Sequence, residues 1–240
     1  MFEKAIQKII DLAAPNIEMI GGETYSDKKL NRISYVPRAE SITMNTLSSL
    51  VDYIKSGVDC FSDEMIIHVQ SPTTVRLYSA LDCEREREYV VDVKANVPEF
   101  CFNRFDNHES FVIGVQSKFV DDPETDKALL LKFAGTVEAG SVAEYGDDGI
   151  SQKATIKTGI ASKGEALIPS PALLKPFRTF VEVDQPVSSF VFRMKDDRCG
   201  GIQCALFEAD GGAWKIEAMK AIKAYLTEAL KDFTQFIIIS

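Results

Sequence analysis

RTFVEV (178–183), SSFVFRMKDD (188–197), GGIQCALFEADGG (200–212) and WKIEAMKAIKAYLTEAL (214–230) are the four runs on which the fold turns. In the first three, apolar and polar residues alternate, which is the period of a half-buried strand. Gln185-Pro186, Gly200-Gly201 and Gly211-Gly212 mark the turns between them. From Trp214 the period lengthens to about 3.6, the helical value. It gathers Trp214, Ala218, Ala221, Ile222, Tyr225, Leu226 and Leu230 on one side. A three-stranded meander with an amphipathic helix packed on it is the expected C-terminal structure.

Upstream, Phe2–Ala14 reads as a helix with Phe2, Ile6, Ile9, Ile10 and Ala13 on one side and Pro15 as its stop. Ile17–Ile20 and Glu23–Tyr25 form a short strand pair about Gly21-Gly22, and a polar arm over 27–40 follows. Asn45 or Thr46 caps a helix near 45–56 whose apolar positions are Leu47, Leu50, Val51 and Ile54, and Gly57 ends it. Met65–Val69 and Thr74–Ser79 make a hairpin around Ser71-Pro72, and a further strand places Val91 and Val93 on one face. SFVIGVQSKF (110–119) suits a helix or a strand, and Lys127–Val137 is expected as a strand. Beyond Gly149, SQKATIKTGIA (151–161) suits an exposed or edge strand, and Pro169, Pro171 and Pro176 punctuate an extended loop. FIIIS (236–240) is either a closing strand or a contact with another subunit. The expected class is α+β, mainly antiparallel sheet. An N-terminal part covers 1–137, a connection rich in Gly, Asp and Ala covers 138–150, and the meander plus helix covers 151–240, as two parts or one integrated domain.

The 240 residues can bury a sizeable core, and 45% hydrophobic with 26% charged residues is a globular composition. A formal charge of −9 opposes general attraction to nucleic acid or anionic membranes. Mimicry of nucleic acid would need long acidic blocks, which are missing. Cys60, Cys83, Cys101, Cys199 and Cys204 contain no CxxC pair and suit neither a disulfide framework nor a zinc site. Cys204 alternates with Ile202 and Leu206 as a small core residue. MFEKAIQKIIDLAA lacks the basic start and apolar block of a secretion signal, and no apolar run reaches the ~20 residues of a membrane helix. A cytoplasmic location is expected.

Chemistry-bearing patterns are sparse. Asp196, Asp197, Glu208 and Asp210 would converge at a hairpin about Gly200-Gly201; such carboxylates can hold magnesium for phosphoryl chemistry or serve as ordinary hairpin charges. Asp210 is also a natural N-cap for the last helix, where Glu208 meets its positive end. Gly146-Asp147-Asp148-Gly149 lacks the register of a calcium loop and reads as a turn. His68 lies within an apolar strand, His108 in a loop beside Asp106 and Glu109, and neither GxSxG nor a Gly-rich phosphate loop occurs. Phe100, Phe102 and Phe105, with only Arg104 among them, read as core rather than as a base-stacking platform. Arg178, Glu182, Gln185, Ser188 and Arg193 are polar residues within strong strands. They suit a cross-strand Arg–Glu pair or an inter-subunit network.

PFRTFVEVDQPVSSFVFR (176–193) and ALFEADGGAWKIEAMKAIKAYL (205–226) resemble phage and prophage proteins of the YfdQ family. The likeness lies in the order of elements more than in identity and spans most of the chain. It takes in TLSSLVDYIKSG (46–57), HVQSPTTVRLYS (68–79) and GDDGISQKATIKTG (146–159). It implies a phage-derived protein in the host cytoplasm, and it brings no catalytic residues with it. The expected function is that of a non-enzymatic accessory protein, a self-assembling homo-oligomer in a ring or shell, with no cofactor. Arg178, Glu182, Arg193, Phe236, Ile237, Ile238 and Ile239 are its candidate interface residues. The alternatives are a metal-dependent enzyme on nucleic acid or nucleotides, through the four acidic residues, and a counter-defence protein binding a host protein or a signalling nucleotide.

Overall fold

In the computed structural model the chain begins with α1 (Phe2–Ala13), β1 (Ile17–Ile20), β2 (Glu23–Ser26), β3 (Ile42–Met44) and α2 (Leu47–Ser56). It continues through β4 (Met65–Ser71), β5 (Thr74–Ser79), β6 (Tyr89–Lys94), β7 (Asp106–Asn107), α3 (His108–Lys118) and α4 (Lys127–Thr136). Then come β8 (Val142–Asp147), β9 (Gln152–Thr158), β10 (Ser162–Leu167) and β11 (Ala172–Leu174). The last elements are β12 (Ser188–Asp196), β13 (Ile202–Glu208), α5 (Ala213–Ala229) and β14 (Phe236–Ile239). The structure describes residues 2–29, 39–61, 63–83, 85–136, 142–147, 152–158, 162–167, 170–196 and 201–240. Two compact units are present, Met1–Ala39 and Glu40–Ser240.

The first unit holds α1 and the β1–β2 hairpin. Gly21 (φ 63°) and Gly22 (φ 89°) supply the left-handed backbone that a two-residue hairpin turn needs. Asn16 N donates to Asp27 Oδ1 at 2.7 Å and Lys28 Nζ to the Ala14 carbonyl at 2.8 Å, which ties the hairpin base to the end of the helix.

In the second unit, alternation along β4 and β5 builds the middle of a five-stranded sheet ordered β14-β4-β5-β6-β3. β4, β5 and β6 are antiparallel, and the outer strands β14 and β3 each lie parallel to their neighbours. Met65, Ile67, Val69, Val75, Leu77, Val91 and Val93 all face the same core, which α2 and α5 complete. The α2 helix forms where expected. Thr46 caps it by accepting from Ser49 N at 3.1 Å, and Gly57 closes it at φ 62°. Its Leu47, Leu50, Val51 and Ile54 are buried, and each fully buried side chain of this kind contributes about 1.5–3 kcal/mol. A second core lies between the antiparallel sheet β11-β12-β13-β7 and helices α3 and α4. Phe111, Val115, Phe119, Leu130 and Phe133 meet Phe190, Phe192, Met194, Cys204 and Leu206 there. Phe100 and Phe102 pack against this core, with their ring centroids 4.7 Å apart.

The class is α+β with mainly antiparallel sheets and a C-terminal helix, as the patterning implies. Several details differ. Lys127–Thr136 is a helix rather than a strand, and it buries Leu130, Phe133 and Ala134 at helical spacing while Leu129 and Lys132 face water. A short apolar run leaves strand and helix undecided, and Ala, Leu and Lys favour the helix. RTFVEV (178–183) is an irregular loop, and β11, within the expected Pro-rich loop, is the first strand of the meander. β9 is the central strand of a three-stranded sheet, β10-β9-β8, rather than an edge, because β8 forms inside the expected connection. Across the stretch 138–150, β7 pairs with β13 and β14 with β4. The last helix sends Ile222, Leu226 and Leu230 into the core of the five-stranded sheet, so its main partner is not the meander.

Candidate functional site

The polar cluster around Arg178 is built on the segment between β11 and β12. Its loop is wound on one amide. Gln185 Oε1 accepts from the backbone N–H groups of Arg178 (2.9 Å) and Thr179 (3.1 Å), and Gln185 Nε2 donates to the Phe180 carbonyl at 2.9 Å. These bonds use backbone groups that a strand would have offered to a neighbour, which is why alternation here does not give a strand. The Thr179 hydroxyl donates to the Pro72 carbonyl in the β4–β5 turn, so the loop also grips the five-stranded sheet.

Arg178 is only 6% exposed. Its Nη1 donates to Glu208 Oε1 at 2.8 Å and its Nη2 to the Ser188 hydroxyl. Its guanidinium carbon lies 4.0 Å from the centre of the Trp214 ring, 5.4 Å from that of Phe190 and 5.6 Å from that of Phe102. Cation–π attraction of this kind strengthens in a dry site. Burial pushes the guanidinium pKa down to about 10, against the pull of Glu208 and Asp210. Glu208 is steadied from β7's side of the sheet. Asn103 Nδ2 donates to it at 3.2 Å, and Glu208 N donates back to Asn103 Oδ1 at 2.9 Å. Asn103 sits at φ 62°, a conformation that Asn tolerates better than most residues. Burial raises the Asp210 carboxyl, but bonding from Ser188 and the Gly212 N–H and the charge of Arg178 together hold it below the usual carboxylate range.

The four acidic candidates do not meet. Asp196 is paired with Ile202 and Glu208 with Phe190, at opposite ends of the β12–β13 ladder. Six residues of strand separate those ends by about 20 Å. The hairpin does form, but its register sends Glu208 and Asp210 away from Asp196; Asp197 lies outside the described residues. Among the described residues, no group of three or more His, Cys, Asp or Glu side chains could hold a metal ion.

Of the polar interface candidates, Arg178 is buried, and Glu182 and Arg193 are half-buried. Arg178 is a buried intrachain hub rather than a subunit contact, and its acidic partner is Glu208, not Glu182. Glu182 accepts from Ser48 N at 3.1 Å and so serves the N-terminus of α2. Arg193 Nη1 donates to the Phe192 carbonyl at 3.0 Å. His108 bonds the Ala134 carbonyl at 2.5 Å and couples α3 to α4. On β14, Phe236 is buried and Ile238 half-buried, whereas Ile237 and Ile239 are each 44% exposed. Two members of the Arg178 cluster escape sequence reasoning. Trp214 reads as one more apolar helix residue and is in fact the lid on the guanidinium. Asn103 is distant in sequence, and only its turn-favouring character hints at its φ.

No helix among the described residues is long and apolar enough to cross a membrane. No protein-family model matches this chain, and no curated protein or solved structure matches it.

Proposed function

We propose that this chain is a non-enzymatic accessory protein of phage or prophage origin that works in the host cytoplasm by assembling with copies of itself. The observation that carries the reading is the outer edge of the five-stranded sheet. β14 is four consecutive apolar residues on an edge, and Ile237 and Ile239 point outward. Edges are usually guarded by charges or proline, and Phe233–Ser240 has neither in a chain of net charge −9. The apolar surface continues inward. Register aligns Ile237 with Ile66, Ile66 with Tyr78 and Tyr78 with Tyr89, on the sheet face opposite the helix-packed core. The two tyrosine rings are stacked 5.3 Å apart. An antiparallel β14–β14 pairing across a two-fold axis would extend the sheet and cover this edge.

The carboxylates that a catalytic reading needs have structural occupations: Glu208 is shared by Arg178 and Asn103, and Asp210 accepts from the Gly212 N–H at 2.9 Å. Light scattering and native mass spectrometry at micromolar concentration test the proposal. The parent protein is expected as a multimer, and Ile237→Lys, which places a charge on the edge, is expected to reduce its mass. A parent that stays monomeric ends this reading.

A further inference from the structure

We infer that two copies of this chain join β14 to β14 in a single antiparallel register, with Ile238 of one copy opposite Ile238 of the other. The inference rests on the self-assembly reading and adds which residues meet and which backbone groups hold them.

The register comes from the backbone. β14 is the outermost strand of its sheet: β4 pairs with one side, and the other side has no neighbour among the described residues. Amide groups of successive strand residues point to opposite sides of the strand. Met65 N donates to the Gln235 carbonyl at 2.8 Å, and the parallel register sets Phe236 beside Met65 and Ile238 beside Ile67. Gln235, Ile237 and Ile239 therefore turn their amide groups towards β4, and Phe236, Ile238 and Ser240 turn theirs to the free side. One of the outward groups is already engaged. Phe236 N donates to the Phe233 carbonyl at 3.1 Å, in the turn that leads into the strand.

What remains, in chain order, is an acceptor at Phe236, a donor and an acceptor at Ile238, and a donor at Ser240. Read backwards, that order is its own complement, which makes a second copy the fitting partner. With a two-fold axis at Ile238, the two Ile238 residues exchange N–H···O bonds, and each Ser240 N–H meets the Phe236 carbonyl of the other copy. The Ser240 carbonyl falls opposite the engaged Phe236 N–H and stays at the rim, in water. Moving the axis to Ile237 would set Ile238 against Phe236 and call on the N–H that Phe233 holds. Moving it to Ile239 would leave the Phe236 carbonyl and the Ile237 side chain unopposed.

The side chains agree with this register. Ile237 and Ile239 are each 44% exposed and share one face of the strand. The pairing sets Ile237 across from Ile239 of the other copy in the close, non-hydrogen-bonded position, so each covers the other. Phe233–Ser240 carries no charge, and repulsion between two chains of net charge −9 is largely screened beyond ~8 Å at physiological salt. The contact is isologous and closes at two copies.

Cysteine cross-linking of the full chain reads the register. Ile237→Cys and Ile239→Cys are made separately in a background with Cys60, Cys83, Cys101 and Cys199 changed to serine, and circular dichroism checks the fold of each. Opposed Cα atoms at a non-hydrogen-bonded position lie about 4.5 Å apart, within reach of a disulfide. The two variants, mixed under reducing conditions and then oxidised, are expected to form the 237–239 cross-link, mapped by peptide mass spectrometry. Neither is expected to cross-link to itself. Self-linking by either variant overturns this register and leaves β14 pairing in place. Hydrogen exchange at single amides supplies a second measurement that needs no cysteine. The Ile238 N–H is expected to exchange at least about tenfold more slowly in the parent than in Ile237→Lys, since only the pairing protects it. Equal rates overturn the inference. A parent that assembles without the cross-link or this protection overturns the inference and leaves self-assembly standing through another surface. A monomeric parent overturns both.

Discussion

Replacing Arg178 with methionine keeps the volume of the side chain but removes the cation that bonds Glu208 and faces Asp210. Glu208 is left with Asn103, and Asp210 with Ser188 and the Gly212 N–H. Removing one partner of a fully buried ion pair costs about 3–5 kcal/mol. The Glu208 side chain is 32% exposed, so water recovers part of that loss, and a cost of about 2–3 kcal/mol is expected. For a unit of this size, that lowers the melting temperature by about 4–12 °C. Burial of the guanidinium works in the opposite direction, since it pushes the arginine pKa down to about 10. Removing both members of the pair should therefore be milder than removing one. Arg178→Met/Glu208→Leu is expected to regain at least about 1 kcal/mol over Arg178→Met, a coupling typical of contacting residues. Urea unfolding monitored by Trp214 fluorescence is the natural assay: Trp214 is the only tryptophan in the chain, and its ring stacks on the guanidinium. A loss under about 0.5 kcal/mol for Arg178→Met, or strict additivity in the cycle, would refute the hub.

Three further outcomes are expected. Thr46→Ala removes the acceptor for Ser49 N and should cost about 1 kcal/mol by thermal or urea unfolding, with no change in assembly mass. Cys204 is buried, and burial pushes its thiol pKa up to about 12, so in the native protein a thiol reagent should label Cys60 and Cys83, which are exposed, and spare Cys204 until unfolding; intact and peptide mass spectrometry will tell them apart. Asp92 is held below the usual carboxylate range: burial raises it, but Lys94 at 2.6 Å and Arg76 at 3.3 Å outweigh burial. Its folded value lies below the unfolded one of about 3.9, so its stabilising share is present above that value and is lost as pH falls through the lower, folded one. Calorimetry from pH 7 to 2 should show a shallower acid limb for Asp92→Asn than for the parent, and parallel limbs would contradict the assignment.

Where local pattern and local environment agree, the chain is legible residue by residue. The α2 helix follows from Thr46, the Leu47–Leu50–Val51–Ile54 spacing and Gly57. The β4–β5 hairpin follows from two alternating runs about Ser71-Pro72. The misreadings have a shared cause. KALLLKF (127–133) is apolar enough to be buried in either conformation, so its packing against Phe192 and its neighbours decides for helix. RTFVEV alternates, yet its backbone is claimed by the Gln185 amide. The proposed carboxylate site fails on register, which Gly200-Gly201 cannot convey: pairing Asp196 with Ile202 carries Glu208 to the far end of the ladder. Arg178 and Glu208 were both singled out, but their partnership, and the part played by Trp214 and Asn103, depends on elements as many as 105 residues apart.

By itself the sequence determined the class, the positions of α1, α2 and α5, the strands that alternate cleanly, and the uncharged apolar tail that becomes β14. These rest on periodicity and turn chemistry, which act over a few residues. Tertiary structure alone decided that β14 joins β4 at the edge of the five-stranded sheet, that the last helix covers that sheet rather than the meander, and that Arg178 is sealed under Trp214. Each is a contact between segments far apart in the chain. Its free energy comes from burying particular surfaces against one another, and no local pattern encodes which surfaces will meet.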